Sequence, residues 1–197
     1  MTMRTLLFAG CAALALLTAC RPAPPPAFQT TDITGAAFAR DFSLTDHHGQ
    51  PRTLADFNGK AVALFFGYTH CPDVCPTTLA DFATALQQMG PLAQQVQVIF
   101  VTLDPERDTP AVLKQFVPAF NPDFLGMTAD TDGIARVAKE YKVVYQKTSV
   151  QGAGDYLLDH SAGTYVHDPQ GRIRLRMAYG STPDVIAHDL TLLLAPR

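Results

Sequence analysis

The chain predicts an α/β domain with a mixed central sheet, helices on both faces and a β-hairpin at its N-terminal end. Three observations carry this. Residues 61–66 (AVALFF) and 96–101 (VQVIFV) are short, nearly continuous apolar runs, as expected of strands buried on both faces. Each is followed by a segment with helical periodicity or a helix-start signal. Two turn signals, one at Gly49 and one at residues 168–171 (DPQG), place antiparallel hairpins before and after these units.

Taken in order, residues 42–44 and 52–54 flank residues 46–50 (DHHGQ) as the first hairpin, and residues 56–60 (DFNGK) form a second turn. The first core strand ends at Gly67. Residues 77–89 then carry an apolar stripe of Leu79, Phe82, Ala83, Leu86 and Met89. The second core strand is followed by a helix over residues 110–116, with Thr109 as N-cap and Pro110 as first helical residue. Residues 124–127 form a short strand. Residues 132–141 form a helix with Ile134, Val137, Ala138 and Tyr141 on one face. Residues 164–167 and 172–175 flank the second hairpin turn. The last helix opens at Thr182 and Pro183 and buries Val185, Ile186 and Leu190. This order is that of a thioredoxin-like α/β domain. The net charge of -3 and a charged fraction of 17%, with no basic stripe, exclude nucleic-acid binding.

Ahead of the domain, Arg4 and the apolar run of residues 6–17 form a leader shorter than the about 20 residues that span a bilayer. Residues 17–20 (LTAC) follow, so residues 1–19 are expected to be a lipoprotein signal peptide and Cys20 the lipidated first residue of the exported chain. Two or more acyl chains give stable anchoring where one does not. Residues 20–36 are expected to be a lipid-anchored, proline-rich tether, extended and without core-forming capacity. Residues 37–197 are left as one folded domain of about 160 residues.

The chain has 4 Cys. Cys11 and Cys20 belong to the leader and its end, so the domain keeps one pair, Cys71 and Cys75, just past the first core strand. In an exported protein such a pair is a disulfide, a redox couple or a soft-metal site. Pro76 is expected to start the helix, which puts Cys75 near the N-cap, where the helix dipole favours thiolate, and Cys71 in the preceding loop. A disulfide closing so small a loop is a poor staple. C-x-x-x-C differs from the C-x-x-C of thioredoxin-type enzymes, and the chain has 0 Trp.

Six histidines are candidates for a third ligand. His47 and His48 are expected to be solvated in the first hairpin turn, His188 exposed on the last helix, and His167 at a strand end on the surface. His70 adjoins Cys71, and adjacent residues seldom converge on one ion. His160 lies just before a predicted strand whose entry passes the cysteines. Asp104 ends the strand beside the cysteine strand, on the side where open α/β sheets place their sites. It also suits an Asx turn before Pro105.

Four blocks then resemble the Sco/SenC family of copper-binding, thioredoxin-like proteins: residues 67–76 (GYTHCPDVCP), residues 102–110 (TLDPERDTP), residues 137–145, and Asp159-His160-Ser161 followed by residues 165–171. The resemblance implies copper, as Cu(I) or Cu(II), bound by Cys71, Cys75 and His160, with Asp104 supporting the site from behind. Two thiolates favour Cu(I) and imidazole accepts either state, while ligand type alone leaves zinc open. It further implies assembly of cytochrome c oxidase, with copper passed to the dinuclear centre of subunit II outside the cytoplasmic membrane. Another copper chaperone could act upstream. The competing reading is a thiol–disulfide reductase that keeps the acceptor cysteines reduced through Cys71 and Cys75. A peroxidase is a third, opposed by the lack of a Pro-x-x-x-Thr-x-x-Cys arrangement.

Overall fold

The computed structural model describes residues 27–149 and 156–195. The leader, Cys11, Cys20 and the start of the tether lie outside the described residues. Among those described, no helix is long and apolar enough to cross a membrane.

The strands are β1 (Thr31–Asp32), β2 (Ser43–Asp46), β3 (Pro51–Thr53), β4 (Ala61–Gly67), β5 (Val96–Thr102), β6 (Leu125–Thr128), β7 (Tyr145–Ser149), β8 (Tyr156–His160), β9 (Gly163–His167) and β10 (Ile173–Ala178). The helices are α1 (Val74–Met89), α2 (Pro110–Phe116), α3 (Thr131–Glu140) and α4 (Pro183–Leu194). Eight strands form one sheet in the order β1-β10-β9-β4-β5-β6-β2-β3. The centre, β4-β5-β6, is parallel, and β9 joins β4 antiparallel, so the sheet is mixed. Both apolar runs sit at this centre with every residue buried, which is why they lack polar alternation. The hairpins β2–β3 and β9–β10 form where their turn residues place them, with Gly49 and Gly171 at positive φ. Helices flank the sheet, α1 against α4, α2 over β6 and α3 beside β2. The Thr109 hydroxyl caps α2 by accepting the Val112 N–H at 3.3 Å.

The fold takes in residues that the tether was expected to hold. Thr31 and Asp32 pair with Arg176 and Leu175 of β10. Asp189, buried on α4, accepts the N–H groups of Gln29 and Thr30, both at 2.9 Å. The chain is therefore tied down ahead of Ala37.

A larger departure is the two-stranded ribbon β7–β8, which stands apart from the main sheet. Its first strand is exposed at four of five positions, so no apolar alternation announces it. Leu158 is its one fully buried residue and pins it to the core.

Two histidines are also placed differently from expectation. His47 is 4% exposed rather than solvated. Its Nδ1 accepts the Gly126 N–H at 2.9 Å, which leaves the ring proton on Nε2, 3.0 Å from His48 Nε2. A backbone donor between β2 and β6 is satisfied this way, and burial lowers the pKa of the ring. His167 is fully buried in β9, with Nε2 2.9 Å from the Ala39 carbonyl, rather than at the surface. His188 keeps an exposed side chain beside Asp189, as expected.

Candidate metal centre

The cysteine loop leaves β4 at Gly67, where the sheet can accept no side chain. A Cβ there would stand 2.7 Å from Cys75 Sγ and 2.9 Å from Phe100 Cε2. The backbone then runs through Tyr68, Thr69 and His70 to Cys71. The helix begins at Val74, with Asp73 as N-cap, two residues before Pro76. Pro76 was expected to open the helix. A missing N–H costs nothing anywhere in the first turn, whose N–H groups have no intrahelical partner, so the proline marks that turn rather than its first residue.

This shift reverses the expected roles of the two sulfurs. Cys75 lies inside the first turn and is fully buried, while Cys71 stays half-exposed in front of the helix. Cys71 therefore receives the stabilisation expected for Cys75. The Cys75 thiol donates to the Cys71 sulfur, and the N–H groups of Asp73, Val74 and Cys75 point at it. Against the opposing effect of partial burial, these pull the Cys71 pKa down to about 5. Cys75 is pushed up, first because it is the donor in that pair and then because it is buried. The site rests as a thiolate at Cys71 and a thiol at Cys75.

His160 ends β8. Its Nε2 lies 3.9 Å from Cys75 Sγ, and its Nδ1 lies 3.2 Å from the Ser161 carbonyl oxygen. A carbonyl accepts only, so the proton sits on Nδ1, and Nε2 turns its lone pair to the sulfur, the tautomer of a metal-binding imidazole. Tyr68 stands edge-on to the ring at 6.1 Å between centroids.

Two carboxylates in the loop after β5 brace these arms. Asp104, buried, accepts from Arg107 Nε and, at 2.7 Å, from the Tyr156 hydroxyl at the start of β8. Its contact with the histidine arm is thus made through β8. Asp108, equally buried, holds the cysteine arm. It accepts the Thr69 N–H at 2.9 Å, the Thr69 hydroxyl, and the Thr102 hydroxyl at 2.6 Å. His70, half-exposed, lies 3.9 Å from Asp108 and 3.2 Å from the Thr69 hydroxyl, on the outside of the loop. Sequence reasoning passed over Asp108. The signal that could have found it is a second acid four residues after Asp104 in the same strand-end loop, beside Thr69 and Thr102 as ready donors.

The donor set suits a soft ion. With bonds of about 2.3 Å to sulfur and about 2.0 Å to nitrogen, a three-coordinate centre spans about 3.8 Å between S and N. Cys75 and His160 stand at that spacing. No three His, Cys, Asp or Glu side chains close into a finished metal cluster among the described residues. Cys71, engaged with the helix N–H groups, has to turn inward to complete the set.

Known proteins resemble this chain in sequence and fold. Residues 30–195 match the family model described as SCO1/SenC. The SCO2 homolog of mouse mitochondria is 41% identical over 133 residues, covering 66% of this chain and 52% of that protein. The chain thus spans about half the length of that mitochondrial relative. A SCO2-like protein of Rickettsia felis is 33% identical and is covered over 91% of its length by 93% of this chain. Among solved structures, ScoI of Bradyrhizobium japonicum with copper bound is 41% identical, with a TM-score of 0.72 over 79% of this chain and 98% of that one. Apo Sco1 of Thermus thermophilus is 40% identical, with a TM-score of 0.75 over 85% of this chain and 97% of that one. With the family model matched from the edge strand β1 to the end of α4, the chain belongs to the SCO1/SenC family.

Proposed function

We propose that this chain is a copper carrier that takes the ion through Cys71, Cys75 and His160 and delivers it during assembly of cytochrome c oxidase. The observation that carries the reading is the buried Cys75 sulfur facing the His160 Nε2 lone pair at ligand spacing, with a second sulfur beside it. The copper-bound state of ScoI from Bradyrhizobium japonicum supports it. We place the acceptor at the dinuclear copper site of oxidase subunit II, and the domain outside the cytoplasmic membrane on a lipid anchor at Cys20.

The unequal burial of the sulfurs orders the exchange. Cys71 is the accessible ligand, so it meets the donor first on loading and yields first to an acceptor thiolate on release. Cys75 and His160 keep hold of the ion until the acceptor has two ligands in place. Oxidation of the thiolate–thiol pair to a disulfide passes two electrons to an external disulfide, releases the one proton of Cys75 and removes both sulfur ligands, so copper is retained only by the reduced pair.

One observation favours a second reading, a thiol–disulfide reductase. An accessible thiolate at Cys71 beside a buried thiol at Cys75 is the division between an attacking and a resolving cysteine. Cys71 would attack a disulfide of the acceptor, releasing one of its sulfurs as a thiolate. Cys75, losing its proton, would then attack Cys71 Sγ, freeing the second acceptor sulfur and leaving the Cys71–Cys75 disulfide. Copper titration of the reduced chain, with absorption spectroscopy for a thiolate-to-Cu(II) band, separates the two. The carrier reading expects one ion per chain and a severe loss in His160→Ala. Oxidase assembly that survives His160→Ala but fails in Cys71→Ser would establish the reductase instead.

A further inference from the structure

Cys75 and His160 reach one spacing from two separate parts of the fold. Cys75 is carried by the β4–α1 loop. His160 is carried by β8, in a ribbon that shares no backbone ladder with the main sheet. They are 85 positions apart in sequence, yet stand 3.9 Å apart in space. The short loop after β5 touches both. Its backbone closes a turn in which Arg107 N–H and Asp108 N–H donate to the Asp104 carbonyl at 3.2 and 2.8 Å. From this turn the Asp108 carboxylate reaches the cysteine arm at Thr69, and Asp104 with Arg107 reaches the histidine arm at Tyr156. Thr102 ties the two halves together, donating its hydroxyl to Asp108 and accepting the Asp104 N–H at 2.9 Å.

Tyr156 is gripped on every side that the ribbon offers. Its hydroxyl donates to Asp104. Its ring carries the Arg107 guanidinium at 3.7 Å from the centroid and the Lys147 ammonium at 4.5 Å. Its carbonyl accepts from Arg107 Nη1 at 3.0 Å. Lys147, on the opposite strand of the ribbon, is itself held by Glu106 at 2.8 Å. Cation–π contacts and a charge-assisted hydrogen bond to a buried carboxylate on one side chain make a clasp rather than a resting contact.

We propose that the loop from Thr102 to Asp108 is a bracket, and that Tyr156, clasped by Asp104 and Arg107, is a positioning residue that sets the reach of His160 to Cys75 and thereby the hold on the ion. This rests on the carrier reading. Tyr156 touches neither sulfur nor copper; it acts by keeping β8 from swinging its last residue away. Support of this kind is worth about 10–100-fold in metal affinity where it orients a ligand. Tyr156→Phe, which keeps the ring and its cations but loses the hydroxyl, is expected near the lower end of that range. Tyr156→Ala is expected near the upper end.

The experiment is competition of the reduced full chain with a colorimetric Cu(I) chelator, run on the original chain, Tyr156→Phe, Tyr156→Ala, His160→Ala and the Tyr156→Ala/His160→Ala double variant. Because the clasp works only through His160, Tyr156→Ala should cost nothing further once His160 is gone. A general loss of stability would instead weaken binding equally in both backgrounds. Equal affinity of Tyr156→Ala and the original chain, or an undiminished loss in the His160→Ala background, overturns the bracket while leaving the carrier reading intact. Failure of the original chain to take Cu(I) overturns the carrier reading, and the bracket with it. Restoration by Tyr156→Phe of most of what Tyr156→Ala loses supports the clasp.

Discussion

Replacing Asp108 with Ala tests whether a carboxylate far from the thiols in sequence holds their loop. Asp108 is 0% exposed and accepts three hydrogen bonds, from the Thr69 N–H and from the Thr69 and Thr102 hydroxyls. Alanine leaves those donors facing a gap. The Thr69 hydroxyl can rotate toward solvent. The Thr69 N–H cannot, and Thr102 is buried, with its oxygen already accepting the Asp104 N–H. Each donor left unsatisfied costs about 1–3 kcal/mol, so these two give about 2–6 kcal/mol. Relief from burying a carboxylate offsets part of this, and we expect a net loss of about 3 kcal/mol. With a urea slope of about 2 kcal/mol per molar, the unfolding midpoint falls by about 1.5 M. The loss should be local as well as global. Cys75, buried and with its pKa pushed up in the folded protein, should become reactive as the loop loosens, and removing the Asp108 charge takes away one of the influences that push its pKa up. Asp108→Asn, which keeps one acceptor oxygen, should fall between the two. An Asp108→Ala chain that unfolds within about 0.3 M of the original, with Cys75 still protected, would refute the reasoning.

Three further expectations follow from the same geometry. Gly67→Ala drives a methyl into Cys75 Sγ, at 2.7 Å from the new carbon, and overpacking of this kind costs about 1–3 kcal/mol; for a domain of this size 2 kcal/mol lowers Tm by about 4–8 °C, and an unchanged melting curve would contradict the close approach. Alkylation of Cys71 by iodoacetamide should follow a thiolate that is lost below pH about 5, so the rate should level off well before pH 8, whereas an ordinary thiol near 8.5 keeps climbing through that range. Asp46, Asp168 and Asp189 are buried, which raises a carboxyl pKa, yet each is held below its ordinary value by hydrogen bonds from backbone N–H groups and neighbouring side chains. Their contribution to stability is therefore full above the unfolded value of about 3.9 and is lost as pH falls through the lower folded values; urea midpoints should drop steeply below about pH 4, and Asp168→Asn should flatten that limb.

What the sequence made legible was whatever one segment decides for itself. Residues 61–66 and 96–101 are apolar but for Gln97 because both faces of the central strands are covered, and that pattern needs no partner to be read. Gly49 and Gly171 announce their turns by the positive φ they adopt. The ribbon β7–β8 escaped because exposed strands held by one buried leucine carry no period. His47 and His167 escaped for a different reason. Each ring meets one backbone group on another segment, Gly126 N–H and the Ala39 carbonyl, and nothing in a turn or strand end foretells such a distant partner.

The site divides along the same line. The two cysteines and His160 stand out in the sequence as soft donors, and the fold brings Cys75 and His160 together. The inequality of the two sulfurs was not legible there. Placing the helix start at Pro76 gave the dipole to Cys75, and a shift of two residues to Val74 hands it to Cys71 instead. The same limit applies to the loop after β5. Its sequence reads as one Asx turn with one useful acid, whereas the turn points two buried carboxylates at two different arms, Asp104 to Tyr156 and Asp108 to Thr69. Because one turn contacts both arms, the spacing between Cys75 and His160 depends on this loop as well as on the ligand segments, where Tyr68 meets the His160 ring. A substitution within the loop should therefore disturb the spacing of Cys75 and His160 even when neither residue is touched.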